Sequence, residues 1–156
     1  MSESDSARAP EEVPAATTAP TGEGETATAG DVSALESVRN DLLRVHRMLL
    51  AVERERYERA RGRVANNSAF LQLVINDPWF DWLRPMAQLV LLIDERTSDK
   101  KMPLGRNEAK ALLDRARALL RADGEGDAFQ RLFHQAIQFS PDLAVLARQV
   151  ALNQKR

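Results

Sequence analysis

The sequence predicts an all-α fold, a helical bundle of five or six helices with a long first helix and a disordered N-terminal tail. Three observations carry that reading. Apolar residues from position 35 to position 150 recur at spacings of three and four, the period of a helix face, and no strand ladder is visible. Capping residues and prolines stand where such helices would begin. The composition changes abruptly near residue 30.

Residues 1–30 consist largely of Ala, Thr, Pro, Glu and Gly, with Val13 as their only branched aliphatic residue. Burial there cannot offset the entropy of ordering, so this segment is expected to be a disordered acidic tail, and 31–156 the helical bundle domain. In the first helix, expected over about 32–63, Leu35, Val38, Leu42, Val45, Leu49 and Val52 form a heptad seam. Ser33 or Asp31 is the expected N-cap and Gly62 the expected stop. A second, adjoining seam runs through Leu43, His46, Leu50, Tyr57, Ala60 and Val64.

Asn67 or Ser68 can cap a short helix through Ile75, with a buried strand as the weaker alternative. Asp77-Pro78 reads as a cap followed by the first helical residue, where the missing proline N–H costs nothing. Pro85 should kink the next helix or mark a fresh start, and helix continues to about Arg96. After the polar loop TSDKKMPLG, Asn107 can cap a helix bearing Leu112, Leu113, Ala116, Leu119 and Leu120, which Asp123-Gly124 ends. Asp127 and Gln130 resemble a capping box for a helix with Phe129, Leu132, Phe133 and Ile137. Ser140-Pro141 opens the last helix, with Leu143, Leu146, Ala147 and Val150 on its apolar face.

Composition bounds the function. With 44% hydrophobic and 29% charged residues, the chain can bury a core and still present a charged surface. Six acids and one arginine give the first 30 residues a net charge of -5, which leaves +4 for the rest against a whole-chain net of -1. That is short of the basic footprint of a dedicated nucleic-acid binder. There is no cysteine, so disulfides, thiolate nucleophiles and cysteine-bound metals are excluded. The N-terminus has early acids and no apolar stretch of the secretory kind, and the run LVLLI at 89–93 is too short to span a bilayer. A cytoplasmic location is the expectation.

The stretch FLQLVINDPWFDWLRP, residues 70–85, holds four of the chain's eight aromatic residues. Trp79, Trp82, Met86, Val90 and Ile93 continue at helical spacing, which favours a packed corner. The alternative is a ligand pocket formed by Asp77, Trp79, Asp81, Trp82 and Arg84. The segment DPWFDWLRPMAQLVLLIDE, together with ALLDRARALL and FSPDLAV, resembles a family of small uncharacterised bacterial helical proteins. In that family an aspartate–proline–aromatic segment leads into Trp-Leu-Arg-Pro and an aliphatic helix ending in Ile-Asp-Glu. The resemblance covers about residues 35–150 and is strongest at 77–85. It implies a helical fold and a bacterial source, and carries no functional residue over.

In ERERYERARGRV, the seam of the first helix passes from aliphatic residues to arginines. Arg54, Arg56, Arg59, Arg61 and Arg63 form a candidate basic face, interleaved with Glu53, Glu55 and Glu58. Arg54–Glu58 and Glu55–Arg59 can pair at i,i+4, so a self-neutralised face is the simplest reading and the acids would repel phosphates. His46 and His134 lack the spacing of a metal or haem site, so no metal and no cofactor is expected. No phosphate loop or nucleophile elbow is present, and the adjacent Asp94 and Glu95 point about 100° apart on a helix. These absences lower the case for an enzyme.

The expectation is a protein–protein interaction or regulatory adaptor module. Its candidate interface is the early seam, Leu35, Val38, Leu42, Val45, Leu49 and Val52. A helix at the edge of a bundle buries a single stripe about 100° wide, so two adjoining seams mean a central helix or one shared with a second chain. A homodimer through the first helix follows from the second option. The alternative function is a small-molecule or cofactor-binding bundle with its pocket near Trp79, Trp82 and Arg84. A weaker one is a nucleic-acid-associated factor using the arginine-rich end of the first helix.

Overall fold

The computed structural model describes residues 25–155. Six α-helices and one 3-10 helix follow one another: α1 (Ala29–Arg61), α2 (Asn67–Asn76), the 3-10 helix (Pro78–Leu83), α3 (Arg84–Ser98), α4 (Arg106–Leu119), α5 (Ala128–Phe139) and α6 (Pro141–Asn153). No named strand occurs among the described residues. The bundle is arranged around α1. This helix packs against α3 and α4 most extensively, then against α5, α6 and the 3-10 helix.

The two seams account for that central position. Leu35, Val38, Leu42, Val45 and Leu49 are fully buried, and Val52 nearly so. Leu43, Leu50 and Tyr57 of the second seam are half-buried against the same core. Burying a Val or Leu side chain contributes about 1.5–3 kcal/mol, so the first seam is a large share of the driving force. Phe80, Leu83, Met86, Leu89, Ile93, Phe133 and Leu143 supply most of the facing surface.

Pro85 marks a fresh start. The 3-10 helix closes at Leu83, and α3 begins at Arg84 with the proline at its second position, where no intrahelical donor is lost. Asp127 and Gln130 form the expected capping box, and Ser140 caps α6. The segment 67–75 is helical, not a strand, with Asn66 as its cap. Gly105 rather than Asn107 stands at the N-cap of α4.

The tail expected over 1–30 lies outside the described residues as far as residue 24. Residues 25–30 are ordered, which corrects the boundary. Thr26 forms an antiparallel bridge with Gly105, made by Ala27 N–H to the Leu104 carbonyl and Arg106 N–H to the Glu25 carbonyl, both 2.8 Å. Thr28 then caps α1. Its hydroxyl accepts from the Asp31 N–H, and the Asp31 carboxylate accepts from the Thr28 N–H at 2.9 Å. The backbone hydrogen bond from Thr28 holds the Asp31 carboxyl below its usual range. Asp31 is thus the third residue of the helix and not its cap. Thr28→Ala should cost about 1 kcal/mol in a denaturant melt, the usual worth of an N-cap. An unchanged midpoint would mean that the helix starts later, as the composition alone suggests.

Candidate functional site

The seam proposed as an interface is core. Leu35, Val38, Leu42, Val45, Leu49 and Val52 face the chain's own helices, so none of them offers a free surface to a second copy. Of the second helix face, Leu43, His46, Leu50 and Tyr57 are half-buried, Tyr57 against Trp79 and Phe80 of the 3-10 helix, and Ala60 is exposed. The homodimer through the first helix loses its physical basis, because α1 is the central helix of the bundle.

The five residues of the expected pocket do not converge. Trp79 turns toward α1: its ring meets Tyr57 edge-on at 5.5 Å, and its indole N–H donates to Glu53 Oε2 at 2.8 Å. Trp82 turns toward α5 and packs on Phe129 at 5.4 Å. Asp77 caps the 3-10 helix by accepting from the Trp79 N–H at 2.9 Å. Asp81 and Arg84 form an exposed ion pair at 3.0 Å. The aromatic stretch is therefore a corner, in which each tryptophan anchors the 3-10 helix to a different neighbour.

Glu53 is the residue that the sequence concealed. It is 3% exposed, and its carboxylate accepts from Trp79 through one oxygen and from Arg56 Nη1 at 2.9 Å through the other. A buried carboxylate is tolerated only with such partners. Asp41, also buried, accepts from Gln154 Nε2 at 2.7 Å and so ties α1 to the end of α6.

The basic face is largely spent on the protein itself. Arg54 pairs with Glu58 at 3.4 Å and lies 4.9 Å over the Phe70 ring. Arg59 pairs with Glu55 at 2.8 Å, and both Arg56 and Arg59 lie over Phe139. Arg61 stacks on Tyr57 and Trp79 without a carboxylate partner among the described residues. Arg63 is exposed and has no ion pair among them either. His46 is half-buried, and burial lowers its pKa. No group of three His, Cys, Asp or Glu among the described residues could hold a metal ion. No helix among them is long and apolar enough to cross a membrane.

A different surface stands out at α2. Its sequence, NSAFLQLVIN, carries no charge, yet none of its residues is fully buried. Phe70, Leu73 and Val74 pack inward, with Phe70 meeting Phe80 edge-on at 5.6 Å. Leu71 and Ile75, one turn apart on the outer face, are 56% and 55% exposed. Beside this face lies an open cavity of about 610 Å³, lined by Tyr57, Arg61, Arg63, Leu73, Asn76 and Asp77 among others. Gly62 shapes it. Its φ of 100° lets the chain leave α1 abruptly and place Val64 back in the core, a conformation that other residues rarely adopt. Of the expected pocket residues, only Asp77 reaches this cavity. The signal for α2 was present in the sequence as a short uncharged helix, but periodicity does not say how much of an apolar helix is covered.

The chain matches no family model, no curated protein and no solved structure.

The Glu53 contacts give a direct test of the corner. Glu53→Ala leaves the Trp79 indole and the Arg56 guanidinium without their acceptor and should cost about 1.5–3 kcal/mol, the range for hydrogen bonds to a charged group. Glu53→Gln keeps one acceptor oxygen and should cost less. Equal losses in urea melts of the two variants would show that the carboxyl group fills space and does not bind.

Proposed function

We propose that the protein is a protein-interaction module and that its docking surface is the α2 corner, in place of the α1 seam. The observation that carries this reading is the exposed pair Leu71 and Ile75 on a helix without charge. Scattered single apolar residues are normal on a protein surface, whereas an apolar helix face beside a cavity is the usual form of a groove for a partner segment. The corner is also firmly held. Trp79, Phe80 and Phe70 fix α2 and the 3-10 helix to α1, so the surface is presented without prior ordering. Arg61 and Arg63, with no carboxylate partner among the described residues, line the cavity beside α2. The partner that fits is a segment with apolar anchors flanked by carboxylates. The ion pairs favour this over a nucleic-acid surface, since Arg54, Arg56 and Arg59 are already paired.

Leu71→Glu with Ile75→Glu should leave the melting midpoint within a degree or two, because neither side chain is in the core. A photo-crosslinking residue at position 72 should capture a partner in the host cell, and the double variant should lose it. Partner capture by the double variant at the wild-type level would remove α2 from the interface.

A further inference from the structure

A second cavity shares no lining residue with the one beside α2. The end of α4, the loop after it, α5 and α6 enclose a groove of about 940 Å³. Its apolar lining comes from Leu120, Ala122, Ile137, Ala144, Ala147 and Ala151. Three of these belong to α6, and the shortness of their side chains leaves the depth of the groove open. His134 forms part of the wall. Gly124 sits directly on its ring, since a Cβ there would come within 3.1 Å of the imidazole.

Cations outnumber acids around this groove. Arg117, Arg121, Arg148 and Lys155 line it, against Asp114 and Asp123. None of the four cations forms an ion pair among the described residues. Arg39, Arg44, Arg54, Arg56, Arg59, Arg84, Arg96 and Arg106 do form ion pairs, whereas Arg61 and Arg63 share the unpaired state of these four. Asp123 accepts from the Glu125 N–H, which ties it to its own turn. Arg117 has a further peculiarity: its Nε is the one buried side-chain polar atom without a hydrogen-bond partner among the described residues. With its Nε shut away from solvent, Arg117 would meet a carboxylate in the groove at its terminal nitrogens.

We infer that this groove is a binding site for a small amphiphilic carboxylate, with its hydrocarbon body on the alanine-lined floor and its carboxylate at Arg117 and Arg148. The volume lies in the range of small-molecule sites, and the combination of an apolar lining with a few convergent polar groups is their usual composition. A protein helix would need a longer apolar trough with several anchor positions. The inference is independent of the α2 surface.

The test is titration of the isotopically labelled full chain with dodecanoate below its micellar concentration, followed by NMR. Amide shifts should be confined to the end of α4, α5 and α6. Dodecanol and dodecyltrimethylammonium should bind at least about tenfold more weakly, since the carboxylate contributes a charge-assisted pair. Arg117→Gln with Arg148→Gln should lose a similar factor for dodecanoate alone. Should that variant fold poorly, Ala151→Trp provides a second check, since residue 151 is exposed and its new indole would fill the groove without entering the core. Equal binding of the three amphiphiles, shifts centred on α2, or no binding would each overturn the site. So would preference for an acidic amphipathic peptide over dodecanoate, which would make the groove a protein interface.

Discussion

Everything in this bundle depends on the burial of one long helix on more than one side. A 33-residue helix with two apolar seams cannot rest at the edge of a small domain without exposing one of them. The chain meets that constraint by wrapping. α1 packs against α3, α4, α5, α6 and the 3-10 helix. The loops follow from this arrangement, and so does the placement of the surfaces left over. The α2 corner lies against the 3-10 helix and beside Arg54 of α1. The alanine-lined groove opens where α4, α5 and α6 meet.

Apolar burial does not by itself fix how helices are placed around a central rod, and polar ties supply that register. Arg39 grips Asp94 of α3 through two hydrogen bonds of 2.7 and 3.0 Å. Asp41 holds Gln154 at the end of α6, and Glu53 holds Trp79 of the 3-10 helix. These ties are spaced along α1 and reach three different elements. The two acids are buried, so a shifted packing would leave a charge without partners and incur its desolvation cost. Arg96 with Glu108 adds a further link between α3 and α4, and the guanidinium holds the Glu108 carboxyl below its usual range.

Much of the fold was legible in the sequence because helical period, caps and prolines are local signals. The capping box of α5, the start of α6 at Ser140-Pro141 and the fresh start near Pro85 were all readable in that way. The start of α1 was not, since Thr28 lies within a stretch whose composition resembles the tail, and its cap is evident only from the Asp31 contact. The role of the seam was not legible either. Heptad spacing reports that a face is buried, and says nothing about whether the covering residues belong to the same chain. Glu53 could have been noticed, because it stands in the frame of the second seam between Leu50 and Tyr57. Its partner Trp79 could not, as the pairing depends on how the 3-10 helix turns. The groove beside Arg117 joins three helices and has no local sequence signature.

The central claim is that α1 is the internal spine of a single chain. Val38→Glu combined with Val45→Glu places two carboxylates at fully buried positions of that spine. Circular dichroism melts and sedimentation velocity on wild type and variant test the claim most directly. A monomeric wild type with a cooperative melt, and a variant that has lost its cooperative unfolding transition, is the predicted result. A dimeric wild type that the same substitutions convert to a stably folded monomer would contradict it.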